Sequence, residues 1–178
     1  MSKVLVISTS LRANSNSDVL ADEFARGARE ACHEVKQITL KDKQMAFCRG
    51  CLTCGKLGRC VIQDDASAIA AAMHDADVIC FATPIYYYEM SGQMKTLLDR
   101  SNSLFYSDYH FHDIYLLTTA SEDGPSVPER AESGLGGWIA CYAHARLAGT
   151  VFAGGVQDGG EIAGHEALAR AYEMGKQV

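Results

Sequence analysis

Residues Val4 to Ser17 read VLVISTSLRANSNS. The run from Val4 to Ile7 is apolar with no polar alternation, the pattern of a strand buried on both faces. The character then changes within one residue. Ser8, Thr9, Ser10, Arg12, Asn14, Ser15, Asn16 and Ser17 form a loop of hydroxyls, amides and one guanidinium. An amphipathic helix is expected from near Asp18, with Leu20, Phe24, Ala28 and Ala31 on one face and Asp22, Arg26 and Arg29 on the other. Such a loop, delivered to a helix N-terminus, presents hydroxyls and unpaired backbone N–H groups, the chemistry that holds a phosphate dianion. It has neither the glycines and Lys-Ser/Thr pair of a P-loop nor the three glycines of a dinucleotide fingerprint. The competing reading is an ordinary turn and N-cap cluster, since Ser and Asn favour such positions.

Working outward, 178 residues with 48% hydrophobic content suit one globular domain spanning residues 1–178. The apolar stretches are strand-sized, and the N-terminal residues show neither a basic n-region nor a hydrophobic h-region, so a cytoplasmic address is expected. A net charge of -6 with no dense basic block argues against nucleic acid or an anionic membrane as partner. Seven cysteines in such a chain do not read as a disulfide framework. Cys32, Cys80 and Cys141 fall in apolar contexts and are expected to be small buried hydrophobes.

The remaining chain alternates strand and helix patterns. Val35 to Leu40, VKQITL, carries polar residues between Val35, Ile38 and Leu40 and reads as an edge strand. Lys41 to Gln63 is too irregular and too long for a mere connection. Asp64 and Asp65 are placed to cap a helix carrying Ile69 and Met73. Val78 to Thr83, VICFAT, and Ile114 to Thr119, IYLLTT, are further apolar strands. Between them Met94, Leu97 and Leu98 mark a helix over Gly92 to Arg100. Ser126 and Glu129 have capping-box spacing before a long helix with Leu135, Trp138, Ile139 and Tyr142 buried. Gly149 to Ala153 gives a last strand, Gly154 to Gly160 a glycine-rich turn, and Leu168, Ala171 and Tyr172 a closing helix. Five strands alternating with helices imply an α/β fold, a doubly wound parallel sheet with helices on both faces. The order 2-1-3-4-5 puts the polar-faced second strand at an edge. A ligand is then expected beyond the carboxyl ends of the first and third strands.

The third strand empties into Thr83 to Ser91, TPIYYYEMS. Pro84 stiffens this loop, and Ile85, Tyr86, Tyr87 and Tyr88 supply apolar and aromatic faces beside backbone amides, which suits a flat heteroaromatic ring. A tyrosine-rich subunit contact is the alternative. Cys48, Cys51, Cys54 and Cys60 have C-x2-C-x2-C-x5-C spacing within the cysteine-rich loop 41–63. Three cysteines at such intervals can converge on one side of a compact loop while a fourth closes the site. Zinc would be expected with paired C-x2-C knuckles and a longer spacer. Exposed free thiols are the remaining reading. His110 and His112 alternate with Tyr109 and Phe111, yet two histidines make an incomplete metal site, and an interface or ligand-covering role is expected.

Taken together, S-x-R-x-x-S-N-S at Ser10 to Ser17, the cysteine run followed by Val61, Ile62, Asp64 and Asp65, and P-I-Y, M-S-G-Q-M-K and L-L-D-R between Pro84 and Arg100 resemble one family. It is the flavodoxin-like NAD(P)H-dependent FMN reductases, and within it the iron-sulfur flavoproteins of anaerobic microbes. The resemblance runs from Val4 to the last strand; it departs at Thr9, where glycine is usual, and at Tyr88 and Glu89, where small residues are.

The resemblance implies that Ser10, Arg12, Ser15, Asn16 and Ser17 hold the FMN phosphate. It implies that Pro84, Ile85, Tyr86, Tyr87 and Met90 line the ring edge, with Thr119, Ala120 and Ser121 approaching from the third loop. It implies a [4Fe-4S] cluster on Cys48, Cys51, Cys54 and Cys60, and NAD(P)H as hydride donor. Electrons would pass from reduced flavin to a cluster, a quinone, another flavin or a small acceptor, with a one-electron protein as a further candidate partner. No acid-base residue is assigned, because the cofactor carries the chemistry. An exposed ring edge and the aromatics of 86–88 and 105–111 lead to an expected homodimer or homotetramer. Two other classes remain open at this point: a flavodoxin-like electron carrier with no substrate of its own, and a thiolate-rich metal-binding module.

Overall fold

A computed structural model describes residues 1–178. The strands are β1 (Lys3–Ser8), β2 (Glu34–Thr39), β3 (Val78–Tyr86), β4 (Glu89–Met90), β5 (Asp113–Thr119) and β6 (Arg146–Ala153). The helices are α1 (Asn16–Glu30), α2 (Cys54–Leu57), α3 (Asp65–Asp75), α4 (Gly92–Arg100), α5 (Glu129–Ile139) and α6 (Glu166–Lys176). The sheet order is β2-β1-β3-β5-β6, with β4 paired antiparallel to β3 alone. Counting only the parallel strands, this is the expected 2-1-3-4-5 order of a flavodoxin-like sheet.

The unbroken apolar run of β1 has a direct cause. Val4 and Val6 enter a core with Leu20, Phe24 and Ala28 of α1 and Ala171 of α6, whereas Leu5 and Ile7 enter a second core with Met94 and Leu97 of α4 and Leu135 of α5. Side chains alternate across a strand, so a strand covered on both faces needs apolar residues at every position. At the sheet edge β2 alternates exposed and half-buried residues, as its sequence requires. The two helices on the α1 side touch backbone to backbone: a Cβ on Gly27 would lie 2.0 Å from the Tyr172 carbonyl oxygen, and one on Gly175 equally close to that of Phe24. No helix is long and apolar enough to cross a membrane.

Several local expectations are corrected. The Thr83 to Ser91 loop is largely strand, because β3 continues through Pro84 to Tyr86 and folds back on itself as a hairpin, Tyr86 opposite Glu89. The last strand starts three residues before Gly149. The helix α5 begins after Pro128 with no side-chain cap, so Ser126 does not form a capping box. Cys32 and Cys141 are exposed; of the three assigned to the interior only Cys80 is buried, and burial pushes its thiol well above the ordinary value. The 105–111 aromatics do not form one arm. Phe105 and Tyr106 are exposed, while Phe111 is fully buried and stacks on Trp138 at 5.6 Å. His110 and His112 precede β5 and donate their backbone N–H groups to the carbonyls of His74 and Asp77. They therefore sit at the amino end of the sheet, and a role over a ligand at its carboxyl end is excluded.

Candidate functional site

A cleft opens beyond the carboxyl ends of β1, β3, β5 and β6. The loop after β1 contributes Ser10, Arg12, Ser15, Asn16 and Ser17, the start of the hairpin contributes Pro84, Ile85 and Tyr86, and the end of β5 contributes Thr119, Ala120 and Ser121. Two residues named from the sequence do not line it. Tyr87 is 98% exposed at the hairpin tip, and Met90 is 5% exposed, packed in the core beside Gly134. Val156, Gln157 and Gly159 complete the wall. By local pattern 154–160 is only a glycine-rich turn, although such a segment after a parallel strand belongs at the same end of the sheet as the other loops.

Within the first loop the side chains divide their work. Ser15 caps α1, its side chain accepting from the Asp18 N–H. The N–H groups of Asn16 and Ser17, first in the helix, have no intrahelical acceptor and carry the positive end of its dipole. The Asn16 side chain is consumed by the fold: its Nδ2 donates to the Asp158 carbonyl at 2.9 Å, and its Oδ1 accepts from the N–H groups of Gly160 at 3.0 Å and Ile162 at 3.3 Å. Ser17 Oγ lies 2.8 Å from Thr119 Oγ1, which ties the first and third loops. The guanidinium of Arg12 donates to the Gln157 carbonyl at 2.6 Å and remains half exposed. Thr9 is fully buried and joins β1 to β3 and Ser91 by hydrogen bonds of 3.1 and 3.0 Å.

The hairpin is strained where it turns. Tyr87 and Tyr88 both have positive φ, 51° and 65°, a conformation that two-residue hairpin turns require and that Asn-Gly supplies at less cost. Tyr88 is held by its hydroxyl, which donates to Glu122 at 2.8 Å. Nothing in local propensity selects tyrosine here, and side chains kept in such a backbone are typical of functional sites.

The four cysteines of the run line a second cavity, of about 450 Å3, together with Leu98, Asn102, Phe105, Trp138 and the exposed Cys141. Asn102 Nδ2 lies 3.2 Å from Cys54 Sγ, and hydrogen bonding by Thr53 draws the Cys51 thiol below its ordinary value of 9.0. No three of these groups converge on the space of one metal ion. A cubic cluster makes a different demand, since each thiolate binds its own iron and the four stand further apart than ligands of a single ion. A roomy, largely apolar cavity walled by four thiols fits that demand.

The neck of this loop is closed by Arg100, the last residue of α4. Its Nη atoms donate to the Asp64 carboxylate at 2.6 and 2.8 Å, to the Ala46 carbonyl at 2.7 Å and to the Ile62 carbonyl at 3.1 Å. This pairing holds the Asp64 carboxyl below its ordinary value of 3.8. Asp64 also caps α3 as expected, accepting from the Ala66 N–H. Its functional partner Arg100 was legible only as the end of an L-L-D-R string.

A 2-1-3-4-5 sheet with a helix N-terminus opening into a cleft at its switch point defines a flavodoxin-like α/β protein. Residues 2–168 match the NADPH-dependent FMN reductase family, and the chain belongs to that family of oxidoreductase enzymes, which work with FMN and NAD(P)H. It is 38% identical over 102 residues to an iron-sulfur flavoprotein of Methanocaldococcus jannaschii, covering 57% of this chain and 53% of that protein. The chain spans about half the length of the curated relatives it matches. Among solved structures, NAD(P)H:quinone oxidoreductase from Methanothermobacter marburgensis superposes with a TM-score of 0.77 at 16% identity, over 99% of this chain and 96% of the other. An azoreductase from Bacillus anthracis gives a TM-score of 0.75 at 16% identity, with both chains covered fully. These last likenesses are of fold alone.

Proposed function

We propose that this chain binds FMN in the cleft beyond β1 and β3 and oxidises NAD(P)H, passing the electrons onward through a [4Fe-4S] cluster held by Cys48, Cys51, Cys54 and Cys60. The observation that carries the reading is the opening of the α1 N-terminus into a cleft that the Pro84 to Tyr86 strand walls on its other side. When bound, FMN supplies two-electron hydride acceptance and one-electron release.

The chain's own residues do the positioning. The backbone N–H groups of Asn16 and Ser17, with the hydroxyls of Ser10 and Ser17, receive the phosphate at the positive end of the helix dipole. Arg12, anchored on Gln157, adds a charge-assisted donor at the rim. Pro84, Ile85 and Tyr86 present an apolar ledge and backbone groups to the ring, and Thr119, Ala120 and Ser121 approach it from β5. Asn16 contributes through its backbone, because its side chain is already committed to 158–162. At the second cavity the fit rests on four thiols around one apolar space with a buried guanidinium at its edge. Quinone, flavin and small-molecule acceptors share one requirement, access to the mouth of the cleft that Tyr86 lines. The exposed aromatics at 86–88 and 105–106 support assembly as a homodimer or homotetramer.

Protein purified without oxygen tests the reading. FMN should bind at least about 100-fold more tightly than riboflavin, the difference of roughly 2.7 kcal/mol expected when two or more charge-assisted phosphate contacts are lost. Equal affinity for the two would refute the phosphate cradle. Steady-state NAD(P)H oxidation should follow FMN occupancy; an FMN-loaded protein that oxidises neither NADH nor NADPH would be an electron carrier instead. Iron and sulfide should approach four each per chain. Cys54→Ala should lose the iron and keep the FMN, and full flavin with no iron in the unaltered protein would refute the cluster.

A further inference from the structure

One buried polar side-chain atom in the protein has no hydrogen-bond partner, and it is Arg100 Nε. The Arg100 side chain is 0% exposed, and the other two guanidinium nitrogens are fully engaged by Asp64, Ala46 and Ile62. A buried guanidinium N–H left without an acceptor is costly, and native proteins rarely retain one without a use. Arg100 and Cys60 face the same two spaces, the four-thiol cavity and a smaller one beside it. The ordinary acceptors in reach of the guanidinium, two carbonyls and a carboxylate, are already taken by its Nη atoms. The cavity wall that Arg100 shares holds the four cysteine thiols.

We infer that Arg100 is a positioning and potential-setting residue of the thiolate site, its Nη pair clamping the loop neck between Ala46 and Ile62 while its free Nε–H is reserved for anionic sulfur in the cavity. The inference rests on the cluster reading above and deepens it. All four cysteines lie between the two carbonyls that one guanidinium holds, so the clamp closes the loop before any cluster forms and reduces the ordering that binding must supply. The second consequence is electronic. A reduced cluster carries one more negative charge than the oxidised one, so a buried cation and an N–H donor at the sulfur favour the reduced form and raise the potential. Asp64, the counter-charge on the same guanidinium, works in the opposite direction.

Two variants with opposite expected signs test this, each loaded anaerobically with iron and sulfide and titrated against dyes of known potential. Arg100→Gln removes the charge and should shift the cluster's reduction equilibrium at least tenfold toward the oxidised form, which is 59 mV downward for a one-electron couple. Asp64→Asn keeps the shape and the helix cap, removes the negative charge, and should shift the potential upward. FMN content should be unchanged in both. A purely structural clamp would move both variants in the same direction, and potentials equal to that of the unaltered protein, or shifts of one sign, would overturn the role of Arg100. Should Arg100→Gln fail to fold, the upward shift in Asp64→Asn carries the test, and its absence overturns the inference. Unaltered protein that takes up no iron would overturn the cluster reading and this role with it, whereas a loaded protein with unmoved potentials would overturn this role alone.

Discussion

Asn16→Ala separates two roles that the same residue could play. If the amide binds phosphate, its removal weakens FMN and leaves the FMN-free protein as stable as before. The hydrogen bonds argue the other way. Asn16 makes three side-chain bonds to a segment more than 140 residues away, and one donor, the Ile162 N–H, belongs to a residue only 1% exposed. Losing its acceptor costs about 1–3 kcal/mol, since water has little access to replace it. The exposed Asp158 and Gly160 groups rehydrate, so each of those bonds is worth about 0.5–1 kcal/mol net. Alanine's better helix propensity returns a few tenths of that. The expected loss is about 2–5 kcal/mol, read as a lower urea midpoint at constant m-value in FMN-free protein. In a chain of this size it corresponds to a Tm lower by roughly 4–20 °C. Asn16→Asp, which keeps the acceptors and loses the donor to Asp158, should lose about 1 kcal/mol by the same reasoning. FMN affinity should fall in both through the loosened 156–159 wall. A loss below about 0.5 kcal/mol in FMN-free Asn16→Ala, with FMN binding strongly weakened, would refute the argument and return the amide to the phosphate.

Other outcomes are expected from the same structure. Replacing Tyr87 and Tyr88 by Asn and Gly should stabilise the protein by about 1–2 kcal/mol in urea denaturation, because both positions need positive φ, less the small loss of the exposed Tyr88 to Glu122 bond. An unchanged or lower midpoint would contradict the strain. Asp64 is held below its ordinary value by Arg100, so its contribution is fully present above about pH 4 and is lost as pH falls through the lower folded value. Asp64→Asn should therefore flatten the acid limb of the stability curve, and superimposable acid limbs would speak against the pairing. Sedimentation at micromolar concentration should show a dimer or larger species, since Tyr86, Tyr87, Phe105 and Tyr106 are all exposed; a monomer alone would contradict that assembly.

How much of this was legible before the fold was known depends on whether the information is local. The doubly wound sheet was readable because burial on two faces leaves an unbroken apolar run, as in VLVI and VICFAT, and a single buried face leaves alternation, as in VKQITL. The start of α3 was readable because Asp64 caps its own helix, whereas the start of α1 lies two residues before the expected Asp18 and the capping box expected at Ser126 is absent, α5 beginning after Pro128. The loops at the carboxyl ends of the first, third and fourth parallel strands followed from strand order, and so did most of the cleft wall. Tertiary structure alone decided what each of those residues does there. Asn16 spends its amide on a segment 142 residues away, Met90 turns into the core because the hairpin folds back on β3, and Arg100 meets Asp64 and both ends of the cysteine loop across a gap of 36 to 54 residues. Periodicity and capping record a residue's neighbours along the chain. A hydrogen bond between distant segments leaves no trace in either, because only the closed fold brings its two ends together.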